Sequence, residues 1–590
     1  MKNFFACSCR WLVLLILSGP AAWAQAPGWQ TLTGVGPISG GSPQVKATAV
    51  TATGDFILVG SFAGTAGFGN TTLTTSAGGQ NGFVAKWSVA SGSYVWAYRM
   101  GGSGNDEASA VVVSGANIYV GGTFNSPVAS FNNLSLANSS TDCPQYSPSD
   151  IFVAKLTDAG ASAGFVWAIR PVGRFDERFT KLAVNGSDVY LTGYMSSIVT
   201  VGGPGSTSCT SYNQMTFGTS VIDIVSPAQT GFVAKLTDNG STAGFAWAVA
   251  LSCSAFNGVN KLVVDNGSVY LAGYFDGPKL YLGSGAARLE LLVNPYPYKD
   301  GFIVKLNDLG SSYSLGWVIG ITGPGNENIR QVAISGSDVY LAGTFSNAAN
   351  VGSTTLSTTA PTGVFVAKLL TGGTSRTFAW AQQVDGVSED VALAAYGTNL
   401  YLAGTFTSAT VNFGGTVLTN AAGTNTLYVA KLLDTNSRAY SWAKGVSGTN
   451  GASLKTLFIN GNSVNVVGEA NSGTAFDNLT LAGPAATRVY FQASLLDPLL
   501  TGTASPALRP ESISLTPNPA HGRATVQLPS VPGATTATLT VLDVLGRTLR
   551  TQTAATNAKT DLDLTGLTPG IYAVRVAAGG STATRRLIVE

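Results

Sequence analysis

Histidine is almost missing from this chain: the single one among 590 residues, His521, lies close to the C-terminal end. Everything before it is without an imidazole for a Ser-His-Asp triad, a Cys-His pair or a His-ligated zinc. Gly-rich phosphate loops, HExxH and EF-hand loops are absent from the sequence as well, and no cofactor is expected. Charge is scarce: Asp, Glu, Lys and Arg make up 11%, against about 25% in an ordinary globular domain. The net charge of +2 leaves no basic footprint for nucleic acid or an anionic membrane. Long helical patterns are missing too, so a chain with 45% hydrophobic residues must build its core sheet on sheet.

Long apolar runs are also lacking. The one at residues 11–17 falls short of the ~20 residues a membrane helix needs. With Lys2 and Arg10 around its start and Ala22-Trp23-Ala24 at its end, it reads as a signal peptide over residues 1–24. Cys7 and Cys9 precede the apolar run, where no lipid-anchoring cysteine would stand. That leaves Cys143, Cys209 and Cys253 in the mature chain, an odd number for an oxidising compartment. One disulfide is expected, with Cys209–Cys253 the favoured pair.

What the chain has is repetition. Gln331-Val-Ala-Ile334, Val339-Tyr-Leu-Ala-Gly-Thr-Phe345, Val364-Phe-Val-Ala-Lys-Leu369 and a run holding Phe378-Ala-Trp380 are separated by Gly, Ser, Thr and Asp clusters. They read as a four-stranded antiparallel meander. The third-strand marker recurs at Lys86, Lys155, Lys235, Lys305, Lys368, Lys431 and Ser494, and a second-strand glycine at Gly60, Gly122, Gly193, Gly273, Gly343, Gly404 and Gly468. Seven copies of a four-stranded unit predict a propeller or solenoid. The fourth-strand tryptophans are Trp29, Trp96, Trp167, Trp247, Trp317, Trp380 and Trp442, so the last unit's missing strand stands at the start of the chain. A closed ring explains that arrangement, because an exchanged strand covers both edges. Residues 25–497 therefore read as a seven-bladed β-propeller closed by an N-terminal strand, and they resemble bacterial seven-bladed propeller-repeat proteins.

Residues 498–511 read as a linker. Beyond it, residues 512–590 form a second β module, a small sandwich. Six strands are expected, at Ser512-Ile-Ser-Leu515, Ala524-Thr-Val-Gln-Leu528, Ala537-Thr-Leu-Thr-Val-Leu542, Asp561-Leu-Asp-Leu564, Ile571-Tyr-Ala-Val-Arg-Val576 and Arg586-Leu-Ile-Val589. Pro517-Asn518-Pro519, the run from Val541 through Gly546-Arg547, and Leu567-Thr568-Pro569-Gly570-Ile571-Tyr572 resemble the C-terminal sorting domain of the type IX secretion system of Bacteroidetes. Glu590 stands where a basic residue is common in that family. The resemblance implies passage through the periplasm, engagement of the type IX machinery by residues 512–590, and release or display at the outer surface.

Carboxylates gather at the connections from a fourth strand to the next first strand: Asp106, Glu107, Asp176, Glu177, Glu327, Glu389 and Asp390. In a propeller these connections share one face with the loops between second and third strands, so two readings stand: solvated loop residues and turn caps, the favoured one, or a ring around the channel mouth that serves as a binding face for a cation or sugar. Third-strand lysines are expected between blades with their ammonium groups snorkelling out, and the second-strand tyrosines in the inter-blade core. Long loops at 125–150, 196–229 and 276–300 carry Tyr146, Tyr212, Tyr281, Tyr296 and Tyr298 and suit recognition of a glycan or protein. A non-enzymatic binding or adhesion protein is the favoured reading. The alternative is a carbohydrate-active enzyme working with paired carboxylates.

Overall fold

The computed structural model describes residues 26–76, 78–139, 148–173, 176–196, 214–223, 229–253, 256–285, 288–371, 376–388, 390–420, 423–436, 438–446, 451–484, 487–497, 500, 513–529, 531, 535–543, 547–578 and 581–590. Among them there is no α-helix, and strand follows strand throughout.

Six four-stranded antiparallel meanders, at 44–101, 106–169, 176–253, 256–321, 328–385 and 391–445, and a three-stranded one at 453–496 occur among the described residues, here repeats 1 to 7. Repeat 5 is typical: Asn328–Ser335, Asp338–Phe345, Gly363–Leu370 and Thr377–Asp385 pair in that order. Its second strand is buried almost from end to end and its third over most of its length. Both therefore read as continuous apolar runs, the pattern of strands covered on both faces. Repeat 7 has three strands of its own, and Trp29–Gly34 pairs with its third, Arg488–Leu496, placing Trp29 opposite Leu495 and Gly34 opposite Phe491.

Each repeat packs its sheet against the next. Val45, Phe56 and Leu58 of repeat 1 share a core with Phe458, Val467 and Tyr490 of repeat 7, and Tyr490 Oη donates to the Val45 carbonyl at 3.3 Å. The architecture is all-β and propeller-like.

The recurring second-strand glycine has a steric cause. Six first strands among the described residues carry a bulge beside it, at Lys46, Ser109, Thr180, Asn260, Arg330 and Lys455. A Cβ at Gly60, Gly273 or Gly343 would collide with the first-strand carbonyl of Gln44, Gly258 or Asn328. Only glycine permits that approach.

The connections between second and third strands differ from the expectation of open loops. Seven of them hold a short hairpin among the described residues, for example Val128–Phe131 with Leu134–Ala137 and Thr410–Phe413 with Thr416–Thr419. A hairpin docks on the preceding repeat: Ser130 pairs with Gly101, Leu280 with Cys253, Thr216 with Val172 and Asn350 with Thr322. An aromatic residue bolts it to its own third strand, as in Phe131 with Phe152 and Phe413 with Tyr428, ring centroids 4.9 Å apart in both. Its turn takes a left-handed residue, Asn132 at φ 59° or Gly414 at φ 59°. Much of what reads as recognition loop is therefore framework. Tyr146 and Tyr212 lie outside the described residues.

Residues 514–589 form two packed sheets. One has Ser514–Thr516, Arg523–Gln527 and Lys559–Asp563; the other has Thr548–Ala555, Thr536–Leu542, Gly570–Ala578 and Ser581–Val589. Thr548–Ala555 is an additional strand that sequence patterning missed. It is an edge strand with mostly exposed polar residues, so it lacks the apolar alternation that betrays the others.

Candidate functional site

The most prominent chemistry is an acid placed three residues after the third-strand marker, a lysine in four repeats and Ser494 in repeat 7. Asp158, Asp238, Asp308, Asp434 and Asp497 each receive the lysine ammonium of the preceding repeat: Lys86 at 2.7 Å, and Lys155, Lys235, Lys368 and Lys431 at 2.6 Å. The preceding repeat's tyrosine adds its hydroxyl, Tyr119 to Asp238 at 2.7 Å and Tyr401 to Asp497 at 2.6 Å. Its tryptophan adds an indole N–H, Trp167 to Asp238 at 3.0 Å and Trp380 to Asp434 at 2.8 Å. This corrects the expectation of snorkelling ammonium groups, for Lys235 is 2% exposed and Lys431 fully buried. A buried ammonium needs a counter-charge, and the next repeat supplies it.

Burial pushes Asp238, Asp308 and Asp434 up, but the donated hydrogen bonds outweigh it and hold them below the usual carboxylate range. Lys305 lacks this partner, because Thr371 stands at the acid's position. Burial and the Arg376 charge lower its pKa. The signal for these latches was present in the sequence as Lys-x-x-Asp, spread over adjacent repeats.

The expected carboxylate face separates into three settings. Asp106, 2% exposed, is saturated: Gly102 N donates at 2.7 Å, Ser126 Oγ at 2.6 Å, Asn125 N and Ser126 N at 3.1 Å and Asn81 Nδ2 at 3.2 Å. Glu107 and Asp176 are half-buried ion-pair partners of Lys46 (3.0 Å) and Arg178 (3.3 Å). Glu177 and Glu327 are fully buried beside acids of the preceding repeat, Asp150 and Asp300.

Burial, then the Asp150 charge, pushes Glu177 well above the usual range. Burial lifts Asp300 to about 6 and, with the Asp300 charge, Glu327 to about 9. The Gly323 N–H lies near Asp300 without closing a well-formed hydrogen bond, and the four oxygens of this pair have no other described donor. Both carboxyls are shifted the same way, so the pair holds a proton more firmly than isolated carboxyls do. Of the seven expected residues, Asp390 alone lines a cavity described here, and Glu389 lies outside the described residues.

That cavity is bounded by first strands. Its polar end, about 200 Å³, is lined by Lys181, Asn260, Arg330, Gln331, Asp390, Val391, Ala392, Leu454 and Lys455, from repeats 3 to 7. A second chamber of about 760 Å³ is lined mainly by apolar residues including Val263, Val332, Leu393, Leu457 and Leu500. Leu500, 5% exposed, belongs to the segment that follows repeat 7. Burial and then Arg330 lower the pKa of Lys181, and burial and then Lys181 lower that of Lys261. These cations went unnoticed because each stands on a different repeat.

In the C-terminal module the motif residues secure turns. Asn518 donates through Nδ2 to Arg586 O at 2.9 Å and accepts from Ile588 N at 2.8 Å, fastening Pro517-Asn518-Pro519 to the last strand. Arg547 binds Asp543 at 2.7 Å. Tyr572 Oη donates to Thr568 O at 2.7 Å across Pro569-Gly570. Gly546 lies outside the described residues. Cys253 is buried with its Sγ 3.3 Å from the Asp276 carbonyl, and Cys209 and Cys143 lie outside the described residues. No group of three or more Cys, His, Asp or Glu side chains is placed to hold a metal among the described residues. No helix among them is long and apolar enough to cross a membrane.

Residues 514–590 match the secretion system C-terminal sorting domain. That match implies interaction with the type IX machinery and secretion or outer-surface localisation. No curated protein matches the chain in sequence. Among solved structures, an acylaminoacyl peptidase of Pyrococcus horikoshii is similar over 83% of this chain and 58% of its own, at 10% identity and a TM-score of 0.34. This chain thus spans less than two thirds of that protein's length. A Trypanosoma rangeli sialidase in complex with 2,3-difluorosialic acid is similar over 81% of this chain and 82% of its own, at 10% identity and 0.29. Drosophila semaphorin 2a is similar over 96% and 99%, at 8% identity and 0.25. Likeness at these scores carries no argument about this chain's activity.

Proposed function

We propose that the chain is an exported seven-bladed β-propeller, closed by its N-terminal strand, that binds or adheres outside the cell without turning its ligand over. In this reading residues 1–24 direct it to the periplasm, residues 25–497 form the propeller, and residues 512–590 follow the linker as the export signal. The sorting-domain match carries the export part. The closed ring is supported by the pairing of Trp29–Gly34 with repeat 7 and by the core shared between repeats 7 and 1.

Binding rather than catalysis is supported by the fate of the recurring carboxylates. Asp106, Glu177 and Glu327 are out of a substrate's reach, and Glu107 and Asp176 are held by Lys46 and Arg178. A glycosidase needs two accessible carboxyl groups flanking the bond it breaks. Exposed Tyr296 and Tyr298, 40% and 45%, offer aromatic contacts of the sort recognition surfaces use.

Removing residues 512–590 in a host with this secretion system is expected to leave the propeller in the periplasm; normal amounts outside the cell would refute the export reading. The secreted full chain is expected to be retained on a polysaccharide or cell-surface extract without releasing shortened sugars. Measurable turnover would overturn the non-enzymatic role.

A further inference from the structure

We propose that the polar chamber lined by Lys181, Asn260, Arg330, Gln331, Asp390 and Lys455 binds a sugar unit bearing a carboxylate, a uronate, through its charged group and its hydroxyls together. This rests on the binding-module reading and names its ligand class.

The chamber gathers three cations, Lys181, Arg330 and Lys455, from repeats 3, 5 and 7, with Lys261 further along the same wall of strands. Lys181 and Lys455 are open to the space of the cavity, while the strands crowded around Lys181 desolvate it. Among the described residues neither is within ion-pair distance of an acid, whereas the latch lysines all are. A ring of strands limits their access to bulk water, and Lys181 and Lys261 repel each other across it. An oxyanion at this point relieves both penalties.

Asp390 then decides what kind of anion fits. Its exposed carboxylate repels a bare ion on the same wall, but it accepts a hydrogen bond from a hydroxyl. The Gln331 amide adds an acceptor and donors, and Asn260 adds an acceptor through Oδ1, its Nδ2 being taken by Asn328 Oδ1 and by the Ile329 carbonyl at 3.0 Å. Leu454, Val391 and Ala392 supply an apolar strip for the C–H face of a ring. A ligand with one negative group and several hydroxyls satisfies all of these at once, and a volume of about 200 Å³ suits a single sugar unit rather than a folded partner.

The test is calorimetric titration of the secreted full chain with glucuronate, glucose and sodium sulfate. Glucuronate is expected to bind, to weaken as salt rises, and to lose about tenfold or more in affinity in Lys181→Gln/Lys455→Gln. Unchanged thermal melting of that variant separates lost binding from lost folding. Three results would overturn the assignment: no glucuronate binding, glucose bound as tightly as glucuronate, or sulfate bound where glucuronate is not. Turnover of a polysaccharide by the unaltered chain would sink the non-enzymatic reading while leaving glucuronate affinity measurable. Loss of the chamber's affinity would leave binding at other surfaces intact.

Discussion

At the scale of the residue, the repeat is held by charges with little access to water. Asp238 collects Lys155, the Tyr119 hydroxyl and the Trp167 indole, so truncating it strands a buried ammonium. Asp238→Ala is expected to cost about 3–5 kcal/mol, the range for breaking one side of a buried pair, as measured by urea unfolding. Adding Lys155→Met should recover part of that loss, and a loss below about 1 kcal/mol would contradict the latch. The second residue-scale device titrates in the opposite sense. Glu327 is raised to about 9 and Asp300 to about 6, so the folded chain holds protons there that the unfolded chain has released. Stability from this pair is whole below the ordinary carboxylate pKa and drains as pH rises toward about 9. The latch acids, held low, keep their contribution at neutral pH and lose it in acid. Glu327→Gln is expected to raise Tm by a few degrees near pH 9 and to flatten the alkaline decline. An unchanged slope of Tm against pH would remove the pair from the account.

At the scale of the element, the junction between repeats 4 and 5 is the odd one. Lys305 lies over the Tyr270 ring at 5.8 Å, but Thr371 replaces the acid that completes the other lysine latches. Thr371→Asp is expected to supply the missing partner and raise Tm by a few degrees, with Lys305→Met as the control that cancels the gain. A fall in Tm, or a gain that survives in Lys305→Met, would show that the turn after repeat 5's third strand does not present the acid to Lys305. The strands themselves were legible in sequence because second and third strands are apolar along most of their length and Gly-rich turns separate them. The hairpins were not, since their strands are short and Thr-rich, with Thr65, Thr72 and Thr74 exposed, and resemble a polar loop. Their signal was the recurring aromatic-turn-leucine spacing of Phe131 to Leu136 and Phe413 to Leu418.

At the scale of the whole molecule, the first strand and the last repeat depend on each other. Trp29 is 6% exposed, stacks edge-on with Phe476 at 5.1 Å and donates its backbone N–H to Asp477 at 3.0 Å. Deleting residues 25–36 from the secreted chain is expected to uncover both edges, lower Tm sharply and open repeats 7 and 1 to protease. Unchanged melting and protease resistance would contradict closure. The all-β repeat of a four-stranded unit and the sorting module were determined by the sequence alone, because periodic apolar runs and turn residues are local properties that a linear reading detects. Which acids are buried and which cations share a chamber was decided only by tertiary structure. Asp106 and Asp390 occupy related connections in the sequence, yet one is enclosed by five donors and the other faces the cavity. The partners that settle a side chain's environment come from neighbouring sheets, tens to hundreds of residues away, and their approach depends on how strands twist and stack rather than on any neighbour in the chain.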